Sequence, residues 1–209
     1  MSGKVSFEGT VPASSPVKLD SDPNCAREHP NGMTPDSMLV NNGGLDNVFV
    51  FVKDGLGHYY FDTPKDPIKL DQKGCRYAPH VLGLRTGQPL EISNSDQTLH
   101  NVHGEGAGRQ FNYSQPLPKM KNTTTFSTPD VMVRFKCNVH GWMEAYVGVL
   151  PHPYFAVTTN GGAFELKDVP PGTYTIEAWH EKLGTQTQSV TIAPKEAKTI
   201  AFTFKAATP

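Results

Sequence analysis

The chain of 209 residues has no run of 18 or more apolar residues, so it has no segment that reads as a membrane span. It also has no excess of charge. Against 19 Lys and Arg stand 20 Asp and Glu, a formal net charge of -1, and charged residues are only 19% of the chain, below the roughly 25% of average usage. A protein that works by neutralising many phosphates needs clustered cations, so nucleic acid is excluded as a partner. Long helical periodicity is scarce, and 19 glycines with 18 prolines favour turns and short strands instead. No internal period appears, which excludes solenoids and propellers. The first residues lack the basic start, apolar middle and small-residue cleavage site of a secretory signal and run straight into a strand pattern, so the sequence reads as a mature chain without its leader. Cysteine is sparse and odd in number: Cys25, Cys75 and Cys137. In an exported protein that count fits one bridge plus one thiol with a separate task.

What the chain does have is short stretches rich in Val, Ile, Thr, Phe and Tyr, separated by Gly, Pro, Asn or Asp. The pattern predicts an all-β fold, with strands from Lys4–Phe7 through Thr199–Phe204. Tyr174, Ile176 and Ala178 alternate with Thr173, Thr175 and Glu177, as expected of a strand with one buried and one wet face. Only Cys25–His29 and the surroundings of Trp142 could hold a helical turn. The string Gly104-Glu105-Gly106-Ala107-Gly108 reads as a flexible loop, since no helix follows it to make a phosphate cradle.

A boundary falls near Pro151-His152-Pro153, after which Gly162-Ala163-Phe164-Glu165-Leu166 leads into Val169-Pro170-Pro171-Gly172-Thr173-Tyr174. This strand, Pro-Pro-Gly turn and strand resembles the carboxypeptidase regulatory-like, transthyretin-related modules. The early strand Gly3-Lys4-Val5-Ser6-Phe7-Glu8-Gly9 has the form that often completes such a module. The expected organisation is therefore N-terminal strands and a long loop over 1–65, a central domain over 66–152 and a small β-sandwich over 153–209. Residues 10–46 are polar and carry five prolines, and a loop this long needs a tether. A Cys25–Cys75 disulfide would supply it, the alternative being two unconnected surface thiols.

The chemistry lies in Phe135-Lys136-Cys137-Asn138-Val139-His140-Gly141-Trp142-Met143. A thiolate, an imidazole and a thioether in one turn after a strand form a copper set, and a trigonal His₂Cys site with an axial Met needs one more histidine. His100 and His103 compete for that place. Three apart on a strand, they point to opposite faces, and His100 shares its face with Val102, so His100 is the choice. A second cysteine for a binuclear centre is missing from the loop, and structural zinc would want a fourth strong ligand where Met stands. His180-Glu181 lacks the second histidine of a zinc-protease helix. His152 and His180 read as surface or inter-domain residues, with a second metal site as the alternative.

From these residues, 66–150 resembles a cupredoxin, with the short ligand loop of the amicyanin type. The resemblance implies a Greek-key β-sandwich holding one mononuclear type 1 copper. It makes His100, Cys137 and His140 the equatorial ligands and Met143 the axial one. Asn101 would tie the two ligand loops together. Electrons would pass through an exposed edge of His140, with Gly141 and Trp142 as the docking patch. The implied function is an exported, periplasmic or extracellular electron carrier without a substrate site, whose partners are redox proteins such as a cytochrome, an oxidase or a dehydrogenase. Its alternatives are copper storage or delivery, a binding module for a glycan or protein, and a subunit of a copper enzyme.

Overall fold

The computed structural model describes residues 1–106 and 108–206. The chain is all-β, as its composition predicts, and the single helix among the described residues is the short Pro23–Glu28. No helix of the described residues is long and apolar enough to cross a membrane. The strands gather into two compact units, Met1–Ala13 with Asp36–Tyr60 and Pro153–Pro209, and Ser14–Pro35 with Phe61–His152. Residues 14–35 and 61–65 thus fall in the second unit rather than with an N-terminal segment.

In the first unit, the strand Ser2–Glu8 lies parallel to Thr199–Lys205 and antiparallel to Ala163–Glu165. Val5, Phe7, Phe202 and Phe204 of this sheet are buried. The other sheet runs Phe155–Val157, Phe49–Asp54, Gly172–His180, Gly184–Ile192, and it buries Tyr174, Ile176 and Ala178 as the alternation requires. Asp46 pins the turn beside the first strand by accepting the N–H groups of Gly161 and Gly162. His180, read as a surface or inter-domain residue, is buried here, its ring against Phe204 and its Nδ1 accepting the Lys182 N–H. His152, given the same reading, is also buried.

The second unit is a sandwich of two sheets. One has the order Arg109–Gln115, His100–Gly106, Asp130–Lys136, Glu144–Leu150, Val81–Arg85, and the other Lys121–Thr124, Leu90–Asn94, Ile68–Gln72, Tyr77–Ala78. Both sheets send side chains into one core, where Leu70, Leu90 and Ile92 from one face Val102, Phe135 and Val147 from the other. Phe111 and Phe126 join Phe135 there, with Phe111 and Phe135 edge to face at 5.3 Å. The glycine string is strand rather than loop over Gly104–Gly106, paired with Arg109–Gln115, and glycine stands at 104 because a Cβ there would run into Phe111 and Phe135; Ala107 lies outside the described residues.

Close backbone approach sets the first unit's tolerance. A Cβ on Gly44 would collide with the Gly161 carbonyl, so Gly44→Ala should cost about 1–3 kcal/mol through forced backbone shifts. Thermal unfolding of the variant checks this, and an unchanged midpoint would contradict the packing described for this turn.

Candidate metal centre

Two neighbouring strands deliver the site. His100 opens the strand His100–Gly106, and Cys137 follows directly on the strand Asp130–Lys136, with which it pairs. The chain then turns back on itself before Glu144–Leu150. The Cys137 N–H donates to the Met143 carbonyl at 3.2 Å, and the Met143 N–H to the His140 carbonyl at 2.9 Å. Asn101 joins the two segments, its Oδ1 accepting the Asn138 N–H at 3.1 Å while its Nδ2 donates to the Tyr113 carbonyl.

His100, Cys137 and His140 meet with their ligand atoms all within 4.8 Å of one another. The two Nδ1 atoms face each other at 3.0 Å, and Cys137 Sγ lies 3.8 Å from His140 Nδ1. Each imidazole is fixed from behind: His100 Nε2 donates to Asp96 Oδ2 at 2.8 Å and His140 Nε2 to Asp22 Oδ2 at 2.9 Å. In its neutral form, a ring that donates from Nε2 presents a lone pair at Nδ1. With both rings neutral, two lone pairs and a sulfur point at one small volume, where a cation can take the place of the protons that otherwise hold the set together. Solvent is excluded, since His100 is 0%, Cys137 3%, His140 1% and Met143 1% exposed. Met143 belongs to the same buried cluster as Cys137.

The carboxylates are built in rather than incidental. Asp96 takes the N–H groups of Gly74 at 2.7 Å and Cys75 at 2.8 Å in addition to His100, and its own N–H is held by Asn94. Burial alone would raise its pKa, but these hydrogen bonds overcome it and hold the carboxyl below its ordinary range. Asp22 behaves alike: burial opposes its charge, yet Thr98, the Asn24 and Cys25 N–H groups and His140 bring it down to about 2. Its stabilising contribution is complete above the ordinary value of 3.8 and is lost as pH falls toward 2. Burial also opposes the imidazolium of His100, but Asp96 and the Cys137 thiolate raise its pKa to about 9. Burial disfavours the thiolate, and the two imidazoles with the His140 and Val139 N–H groups still lower Cys137 to about 6. Burial, and after it the thiolate, raises Tyr77, whose hydroxyl donates to the Asn101 carbonyl at 2.5 Å.

His103 stands apart, half-buried beside Asn138 and Glu105. The disulfide joins Cys25 to Cys75 as the surroundings of those thiols predict, leaving Cys137 free and buried. His140 departs from expectation: its edge is not exposed, because Asp22 occupies the outward nitrogen. Gly141 is exposed, but Trp142 packs its ring on His140 at 4.9 Å and donates its indole N–H to the Cys75 carbonyl at 3.0 Å. Asp22, Asp96 and Thr98 escape the sequence reading. The spacing of Asp96 four residues before His100 is a readable signal for one of them, whereas Asp22 shows only the Asp-Pro grammar of a helix start.

Comparison with known proteins gives limited likeness. Residues 124–200 match the family model of polysaccharide lyase family 4, domain II. This match begins in the second unit and runs on into the C-terminal module, and it is to a different family from the carboxypeptidase regulatory-like one that the module's wording resembles. No curated protein matches the chain. Among solved structures, a copper-containing nitrite reductase from Thermus scotoductus SA-01 is 17% identical at TM-score 0.36, over 46% of this chain and 25% of that one, so the chain spans about a quarter of that enzyme. A purple cupredoxin from Nitrosopumilus maritimus is 20% identical at TM-score 0.33 over 39% of this chain and 97% of its own. An oxidized amicyanin variant is 19% identical at TM-score 0.36 over 48% and 97%. Likeness at these TM-scores decides nothing about this chain's chemistry.

The coupled thiol and imidazole make a direct prediction for the metal-free protein. Thiolate absorbance should rise with pH through about 6 rather than near the ordinary 9. Asp96→Asn should move that midpoint upward, because a neutral His100 no longer offsets the thiolate. An ultraviolet pH titration checks both, and a wild-type midpoint near 9 would contradict the geometry.

Proposed function

We propose that this is an exported type 1 copper protein that carries single electrons between redox proteins, and that it has no substrate site of its own. The observation that carries the reading is the convergence of His100 Nδ1, His140 Nδ1 and Cys137 Sγ, with both outer ring nitrogens already committed to carboxylates. A soft thiolate with two imidazoles and a methionine in the same turn favours copper over structural zinc, which prefers a fourth strong ligand. When bound, copper supplies one-electron redox chemistry that this donor set tolerates in both oxidation states.

The chain's own residues do the rest. Asp22 and Asp96 fix both rings in advance, so little has to move when the charge of the centre changes. The apolar cluster of Phe111, Phe135, Met143 and Ala145 keeps water out. Burial of all four proposed ligands leaves no approach for a substrate, which supports a carrier over an enzyme. A copper enzyme of the reductase kind would need a second metal with an open position. The two other ligand clusters among the described residues each include a cysteine already in the disulfide. The disulfide itself supports export to the periplasm or beyond. The partners proposed are a cytochrome, an oxidase or a dehydrogenase.

The copper-loaded protein should show an intense thiolate-to-copper charge-transfer band, and Cys137→Ser should abolish it. His100→Ala should also disrupt the centre, whereas His103→Ala should leave the band in place. Visible and EPR spectra of these variants at stoichiometric copper test the reading. A colourless wild type, or a coloured Cys137→Ser protein, would overturn it.

A further inference from the structure

Residues 14–35 do more than close a loop. The helix Pro23–Glu28 begins at Asp22, whose Oδ1 accepts the N–H groups of Asn24 at 2.7 Å and Cys25 at 3.3 Å. The same side chain's Oδ2 accepts His140 Nε2 at 2.9 Å and the Thr98 hydroxyl at 2.6 Å. One carboxylate therefore ties the helix to both loops that carry the histidines. Around it, Leu19, Cys25, Met33 and Cys75 form a small apolar cluster of their own, against which Val17 and Trp142 pack. The segment is held at further points, by the disulfide to Cys75, by His29 Nε2 at 2.8 Å from the Gly74 carbonyl and by Arg76 Nη2 on the Thr34 carbonyl at 2.6 Å. His140 is enclosed on its edge by Asp22 and on its face by Trp142.

We infer that residues 14–35 are a fixed cap over the metal end and that Asp22 is the positioning residue for His140, sealing its outer edge against solvent, metal exchange and partner contact. The inference builds on the copper reading above but departs from the electron port at His140 that the cupredoxin resemblance implies. It makes the centre one that retains its metal, and it sends electrons through another face of the second unit.

The Nε2 proton of His140 reports the cap directly, both with copper(I) and in the metal-free protein. In the wild type this proton should exchange slowly with water and give a resolved nitrogen-correlated NMR signal. Asp22→Ala should speed its exchange at least tenfold. In the copper-loaded protein the same variant should raise both copper(I) release to a chelator and electron self-exchange, measured by line broadening, by tenfold or more. Asp22→Asn, whose amide oxygen can still accept from His140 only by turning its NH₂ toward the Asn24 and Cys25 N–H groups, should restore part of the protection, which a loss of stability alone would not predict. Thr98→Val provides a milder opening of the same contact should Asp22→Ala fail to fold, and it should speed proton exchange severalfold. Unchanged proton exchange in folded Asp22→Ala or Thr98→Val would overturn the cap, as would wild-type self-exchange no slower than in the variants. If the wild type binds no copper, the copper reading fails, while protection of the His140 proton in the metal-free protein still decides for or against the cap.

Discussion

Two buried histidines whose outer nitrogens each rest on a buried carboxylate are the constraint around which the second unit is organised. A carboxylate removed from water is costly unless several donors surround it. Asp96 has the N–H groups of Gly74 and Cys75, and Asp22 those of Asn24 and Cys25. Each cysteine of the disulfide thus donates its backbone N–H to one of the two carboxylates, and the bridge lies between them. A loop that would otherwise be free to wander becomes part of the site's framework. In the chain-entropy picture, closing a loop of 50 residues contributes on the order of 4 kcal/mol, and here the same bond also fixes the outer sphere of the histidines.

Beneath this layer the sandwich sets where the ligands start. The strand register places Lys136 opposite His103 on one side and Glu144 on the other, so Cys137 leaves the sheet next to the strand that carries His100. A buried amide network holds the loop before His100: Asn94 Nδ2 donates to the Thr98 and Gln115 carbonyls, and Gln115 Nε2 to Asn122 and the Ile92 carbonyl. Fully donated amides of this kind favour a single loop conformation. The aromatic cluster below, Phe111, Phe126 and Phe135, then supplies apolar burial without adding polar groups near the sulfur.

Much of this was legible in the sequence, for local reasons. Cys137, His140 and Met143 sit within one turn, and chemistry at that spacing can be read without tertiary knowledge. His100 was separable from His103 because strand geometry alone sends them to opposite faces, and the structure buries the first and half-exposes the second. The strand Arg109–Gln115 was missed although Phe111, Tyr113 and Gln115 turn inward between exposed Gln110, Asn112 and Ser114; with a glutamine on its inner face and no Val, Ile or Thr, its alternation is weak. Nor was the cap. Asp22 lies 118 residues from His140, and a short polar, proline-rich segment carries no local sign of what it will cover. The expectation of an exposed His140 failed for that reason, since exposure depends on a distant piece of chain rather than on the ligand turn.

Copper K-edge X-ray absorption of the loaded protein tests most directly whether two imidazoles and one thiolate hold the metal. The account predicts one short copper–sulfur bond and two histidine nitrogens in the first shell, with the sulfur contribution lost in Cys137→Ser. A first shell of nitrogen and oxygen alone in the wild type would contradict it.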